Sequence, residues 1–184
     1  MNRKVWALVT GLAVASTYAQ TAAAADGLYL GIGIGAATVK DDFQTSTFES
    51  EDVAYKGFIG WRFNQIPIID LAVEAAYTNF GKPSQTLGMP AQEVEYDLHG
   101  PSLAGLLILP LGPLDLYAKG GVLDWKLDGT VGTTTSSRSG TDGFYGVGVG
   151  FYLWKLAFRV EYERYEINDV DKLDMFSLDM LFQF

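Results

Sequence analysis

The sequence predicts an all-β fold, an eight-stranded antiparallel up-and-down transmembrane β-barrel, and three observations carry that reading. Large apolar residues recur at every second position along eight separate runs, as in Phe176, Leu178, Met180, Phe182 and Phe184 at the C-terminus. Connections between runs alternate between long polar segments and tight turns, and the charged residues within runs fall on the face opposite the oily one. A period of two sends successive side chains to opposite sides of a pleat, and no run has the three-to-four spacing of an amphipathic helix. A sheet crossing a bilayer has to close, because an open edge in hydrocarbon leaves each unpaired backbone group costing several kcal/mol.

Residues 1–25 read as a secretory signal peptide: Arg3 and Lys4, an apolar run from Val5 to Ala15, then small residues ending at Ala25, with Ala19 as an alternative cleavage point. The apolar run is shorter than the roughly 20 residues a spanning helix needs, and no later run is longer without a charge, Gly or Pro. Residues 26–184 then form one domain, the barrel. Losing Arg3 and Lys4 takes the 13 basic residues to 11 against 22 acidic ones, a net charge of −11. Such a surface repels nucleic acid and anionic lipid headgroups, so neither is expected as a partner. With no cysteine in the chain, disulfides and thiolate metal sites are excluded as well.

The runs take their faces in order. Leu28 to Val39 turns Leu28, Leu30, Ile32 and Ile34 outward and Tyr29, Gly31, Gly33 and Gly35 inward. Tyr55 to Phe63 turns Tyr55, Ile59, Trp61 and Phe63 outward against Lys56, Phe58 and Arg62. Leu71 to Phe80 shows Leu71, Val73, Ala75 and Tyr77 outward with Glu74 inward. From Ser102 to Leu109 both faces are apolar and Pro101 removes a ladder donor, which leaves the start of the fourth strand open. Leu114 to Lys126 places Leu116, Ala118 and Val122 outward with Tyr117 and Lys119 inward. Phe144 to Leu153 places Tyr145, Val147, Val149 and Phe151 opposite Gly146, Gly148 and Gly150. Leu156 to Tyr165 alternates Phe158, Val160 and Tyr162 with Arg159, Glu161 and Glu163, and Leu173 to Phe184 closes the ring with Asp179 inward.

Long segments follow the first, third, fifth and seventh runs, whereas NQIPI, PLGP and Trp154-Lys155 form the tight joints. Long loops at one end and short turns at the other are the layout of outer-membrane barrels, with the turns and both mature termini periplasmic. Trp61, Phe63, Phe151 and Trp154 at one end, and Tyr77, Phe80, Trp125 and Tyr162 at the other, are expected to form two interfacial belts. The loops are acidic: Asp41, Asp42, Glu49, Glu51 and Asp52 stand against Lys40 in the first. The segment TVGTTTSSRSGT is low in complexity and is expected to be mobile.

Inward charges are Lys56, Arg62, Lys119 and Arg159 against Glu74, Glu161, Glu163 and Asp179, a balanced set. An eight-stranded barrel is just wide enough to be filled by side chains, and buried charges must be paired. The expectation is a zipped polar core, with Arg62 and Arg159 engaging Glu74, Glu161 and Asp179, and with Gly31, Gly33, Gly35, Gly146, Gly148 and Gly150 making room. No catalytic, cofactor or metal site emerges. GIGIG and GVGVG keep every glycine on one strand face and open no helix, unlike a phosphate-binding fingerprint. His99 and Ser102, with Glu93 or Glu95, lack triad geometry because their separation puts them on opposite strand faces.

The runs LAFRVEYERYEI and DVDKLDMFSLDMLFQF, with GFIGWRFN before LAVEAAYTNFG, resemble the OmpA-like transmembrane domain of Gram-negative outer-membrane proteins over Gly27 to Phe184. The resemblance implies an eight-stranded barrel contacting outer-membrane lipid and lipopolysaccharide, here without the family's periplasmic peptidoglycan-binding domain. It also implies that Phe184 is the assembly signal read by the barrel assembly machinery. The reading for function is a structural or surface-interaction role, adhesion-like, with a possible extracellular ligand for the acidic loops and no enzymatic activity. The alternatives are a narrow channel for small or apolar solutes and a lipid A-modifying enzyme.

Overall fold

The alternation of the sequence becomes a ring of strands in the computed structural model, which describes residues 26–43, 46–64, 66, 68–81, 84–87, 92–131, 134–166 and 172–184 and has no helix among them. The strands are β1 (Gly27–Phe43), β2 (Ser46–Phe63), β3 (Asp70–Asn79), β4 (Ser84–Leu87), β5 (Gln92–Leu111), β6 (Leu114–Val131), β7 (Thr134–Leu153), β8 (Leu156–Tyr165) and β9 (Lys172–Gln183). Every pairing is antiparallel. The order runs β3-β2-β1-β9-β8-β7-β6-β5, and β3 pairs with β5 to close the barrel. Eight strands make the wall. The short β4 pairs with the far end of β5, on the edge where β3 ends, and prolongs that stave. The expected signal peptide lies outside the described residues.

The break between β3 and β4 has a local cause. Gly81 takes a φ of +90° and its N–H donates to Asn79 Oδ1 at 2.9 Å, while a Cβ there would meet the Asp52 carboxylate at 2.6 Å. Both the left-handed backbone and the close approach require glycine.

Outside the barrel, the apolar faces are bare of protein: Ile32 is 63% exposed, and Leu30, Ile34, Val73, Leu107, Val147, Leu178 and Phe182 are exposed with it. Inside, Tyr29, Lys56, Glu74, Tyr117, Lys119, Arg159 and Asp179 are buried. The fourth stave now has its bounds. It begins at Gln92, ten residues before the apolar stretch, and presents Leu103, Leu107 and Leu109 outward and Ala104, Leu106 and Ile108 inward. Its ladder with β6 skips from His99↔Lys126 to Ser102↔Leu123. Pro101 has no N–H to give across that gap.

Two expectations are corrected. Phe80 and Trp125 are 3% exposed and point into the lumen, so they belong to no belt. Their parity decides this: they continue the inward rows of Glu74 and Thr78, and of Tyr117, Lys119 and Leu123. In addition, three of the long connections are built partly as paired strand rather than as loops: the one after β3 folds β4 onto the start of β5, and the other two prolong their hairpins. β1 and β2 stay in register to Phe43↔Ser46, and β6 and β7 to Val131↔Thr134, so the TVGTTTSSRSGT segment flanks a hairpin tip.

Candidate functional site

The interior is layered along the barrel axis. Nearest the tight turns, Arg62 at the end of β2 donates to Asp70 of β3 from Nε at 2.8 Å and from Nη2 at 2.6 Å. It also bonds Asp115 of β6, and its guanidinium lies 5.5 Å from the Tyr152 ring. Asp70 and Asp115 are both buried. The expected partners of Arg62 were Glu74, Glu161 and Asp179, and the structure places it with none of them. The register explains the difference: Glu74 sits opposite Gly60, and Arg62 lies two residues nearer the turn, opposite Ala72.

In the middle layer the remaining charges meet. Lys119 Nζ lies 2.7 Å from Glu74, 3.0 Å from Glu163 and 3.5 Å from Glu161. Lys56 bonds Glu161 and lies 3.2 Å from both Glu163 and Asp179. Arg159 Nη2 is 3.0 Å from Glu74, 3.5 Å from Glu161 and 4.0 Å from Asp179. Tyrosine hydroxyls complete the carboxylate shells, Tyr29 donating to Glu74 at 3.0 Å and Tyr117 to Glu161 at 2.6 Å. Arg159 is also ringed by Phe58, Tyr117 and Tyr29 at 4.5, 5.5 and 5.8 Å, the cation–π geometry that suits a flat guanidinium. Glycines on the wall make the space: a Cβ on Gly33 would strike the Asp179 carboxylate, and one on Gly148 the Tyr117 ring.

The expected charge balance is corrected by Asp70 and Asp115, which bring the described interior to six carboxylates against four cations. Asp115 was within reach of parity, since it neighbours outward Leu114 and Leu116. Asp70 stands one residue before its run's alternation begins. Arg159 Nε, Ser177 Oγ and both Asp179 oxygens make no hydrogen bond among the described residues. They lie side by side, because Arg159 faces Asp179 and Glu161 faces Ser177 across the β8–β9 ladder.

The third layer, toward the long hairpins, is apolar and went unread in the sequence. Phe80, just past the end of β3, meets Tyr165 of β8 edge-on at 4.9 Å, and Phe144 of β7 stacks on the same ring at 4.9 Å. Leu98, Leu123, Trp125, Leu173 and Met175 fill around them. Rings from three staves, two of them on opposite sides of the wall, thus span the lumen above the charges. Trp125 Nε1 donates to Asp142 at 2.7 Å, which satisfies its one polar atom.

At the hairpin rim, His99 Nδ1 lies 3.2 Å from Asp97 on the outer face, whereas Ser102 has the inward parity of Ala104 and Leu106. The two are not brought together. Phe184 lies at the tight-turn end, exposed, with its N–H donating to Leu28 at 3.0 Å.

A model of the outer membrane protein β-barrel domain matches residues 7–184. The chain belongs to the outer-membrane protein β-barrel family. It is a bacterial outer-membrane protein on that ground. Among solved structures, it is similar to Ail, the attachment invasion locus protein of Yersinia pestis, at 18% identity and a TM-score of 0.63, over 87% of this chain and 100% of that one. Neisserial surface protein A aligns at 13% identity and a TM-score of 0.66, over 86% of this chain and 97% of that one. The N-terminal barrel of Pseudomonas aeruginosa OprF aligns at 14% identity and a TM-score of 0.55, over 86% and 98%. At these identities the likeness is one of fold. No curated protein matches the chain.

Proposed function

We propose that this protein is a sealed, non-catalytic outer-membrane barrel that serves as a rigid mount for its hairpin surface, with a structural or surface-interaction role. The observation that carries the reading is the closure of the lumen by the Phe80–Tyr165–Phe144 ring layer over the ion network of Lys56, Lys119 and Arg159. A solute path would have to displace both. Charges paired across a lumen act as a plug, and apolar rings above them exclude water.

The tight-turn end and both mature termini are periplasmic in this reading, and the paired extensions of β1–β2 and β6–β7 reach out of the cell. Their rim is net acidic among the described residues, with Asp97, Asp124, Asp128, Asp142 and Asp174 against Lys126, Arg138 and Arg164, the last paired with Asp174 at 2.6 Å. That charge favours a cationic ligand surface, or a divalent-cation bridge to lipopolysaccharide phosphates, over a polyanion. Ail was solved with the heparin analogue sucrose octasulfate, and the rim here has the opposite electrostatic preference. Phe184 acts as the assembly signal.

Liposome swelling tests the seal: sugar entry into vesicles carrying the protein should match that into empty vesicles, and size-dependent entry would refute it. Cells with and without the protein, compared for binding to cationic and anionic surfaces, test the surface role. His99→Ala and Ser102→Ala should leave the lipid A pattern unchanged, and loss of a deacylated product would instead establish an enzyme.

A further inference from the structure

The tight-turn end carries a feature that the sealed interior does not use. Trp154, in the β7–β8 turn, has a φ of 61°, and it alone among the described non-glycine residues has a positive φ. This backbone conformation favours glycine, yet the position holds the largest side chain, 82% exposed. No intramolecular packing of the indole accounts for it, so the observation points outward. Beside it Lys155 is exposed, stands 5.8 Å from the Trp154 ring and 5.9 Å from the Phe182 ring, and makes no ion pair among the described residues.

Directly beside this cation the outer wall is concave. Leu30 and Ile32 of β1, Leu156 of β8, and Met180 and Phe182 of β9 line an apolar furrow of about 220 Å³. Phe182 belongs to both features, lining the furrow and carrying the Lys155 contact. The neighbouring turns add no competing outward acid: Asp70 and Asp115 are turned into the lumen onto Arg62, while Ile66, Ile68, Leu111 and Leu114 are exposed. Among the described residues, the exposed acids at this end are Asp26, at the start of β1, and the terminal carboxylate of Phe184, and neither is ion-paired with Lys155.

We propose that Lys155, Trp154 and the furrow form a binding site for one phospholipid with an anionic headgroup in the periplasmic leaflet. The ammonium takes the headgroup phosphate, the indole lies at the polar–apolar boundary where Trp is favoured, and an acyl chain lies in the furrow, continuous with the lipid-facing band. Charge complementarity selects the occupant, since this end presents an unpaired cation at the mouth of an apolar groove. The site rests on the periplasmic orientation proposed above.

Native mass spectrometry of the full mature barrel, released from micelles doped with equal amounts of phosphatidylglycerol and phosphatidylcholine of matched chains, tests it. The wild type should retain phosphatidylglycerol over phosphatidylcholine by about five-fold, the effect of one lysine at an anionic lipid surface. Lys155→Ala should abolish the preference, and Lys155→Arg and Lys126→Ala should keep it, with heat-modifiable migration confirming that each variant is folded. An equal preference in wild type and Lys155→Ala, or an equal loss in Lys126→Ala, overturns the site. Labelling of Lys155→Cys by an impermeant maleimide on intact cells would overturn the orientation and the leaflet assignment with it; absence of labelling with unchanged lipid retention would overturn the site alone.

Discussion

Arg159 holds the middle layer together through three acidic neighbours and three aromatic rings. Removing one partner of a buried ion network leaves uncompensated charge and typically costs about 3–5 kcal/mol. Arg159→Ala should therefore lower the urea midpoint of the refolded barrel by that order, and Arg159→Lys should restore only part, since it keeps the charge and loses the flat stacking surface. An unchanged midpoint for Arg159→Ala would contradict the layer's role. Sharing of partners gives a second test. Lys119 and Arg159 share Glu74 and Glu161, whereas Lys119 and Arg62 share no partner. Double-mutant cycles should show coupling between Lys119 and Arg159 and additivity within about 0.5 kcal/mol for Lys119 and Arg62. Coupling of Lys119 to Arg62 as strong as to Arg159 would refute the two-cluster description. The inward placement of these charges was legible from the period of two alone. The partners of Arg62 were not, because pairing across a barrel depends on the height each strand contributes, and that is set by register between strands.

At the scale of elements, alternation fixed which face of β1, β2, β8 and β9 is oily, because their inner rows carry charge or glycine. β5 resisted, since Ala104, Leu106 and Ile108 are apolar inside as Leu103, Leu107 and Leu109 are outside. Phe80 and Trp125 were misplaced for a related reason. An aromatic at the end of a run matches an interfacial belt by position, and only its parity, carried past the lipid-facing stretch, sends it inward. Among the described residues, the outward aromatics of that end are Tyr55, Tyr77, Tyr145 and Tyr162. The last strand supplies a prediction of its own. β9 pairs with β1 on one side and β8 on the other, and Phe184 extends the β1 contact through its bond to Leu28. Deleting Phe184 should reduce the yield of heat-modifiable barrel in the outer membrane. An undiminished yield would contradict its role as assembly signal.

For the whole molecule, the wall, the ion network and the ring layer make a single object. The eight-stranded wall closes on itself through β3 and β5, the inner charges pair in two clusters that leave Arg159 Nε and the Asp179 oxygens without hydrogen bonds among the described residues, and the rings of Phe80, Phe144 and Tyr165 separate that network from the hairpin end. The hairpins and their acidic rim are then the surface left for recognition, as is usual for segments mounted on a rigid scaffold. The seal implies that trimming the rings should matter: the triple variant Phe80→Ala, Phe144→Ala, Tyr165→Ala removes the apolar layer and should admit brief, small conductance steps. The central claim rests on the unaltered protein in planar lipid bilayers under an applied voltage. A sealed barrel predicts a current at the level of the bare membrane, and a steady, large, porin-like conductance would contradict it.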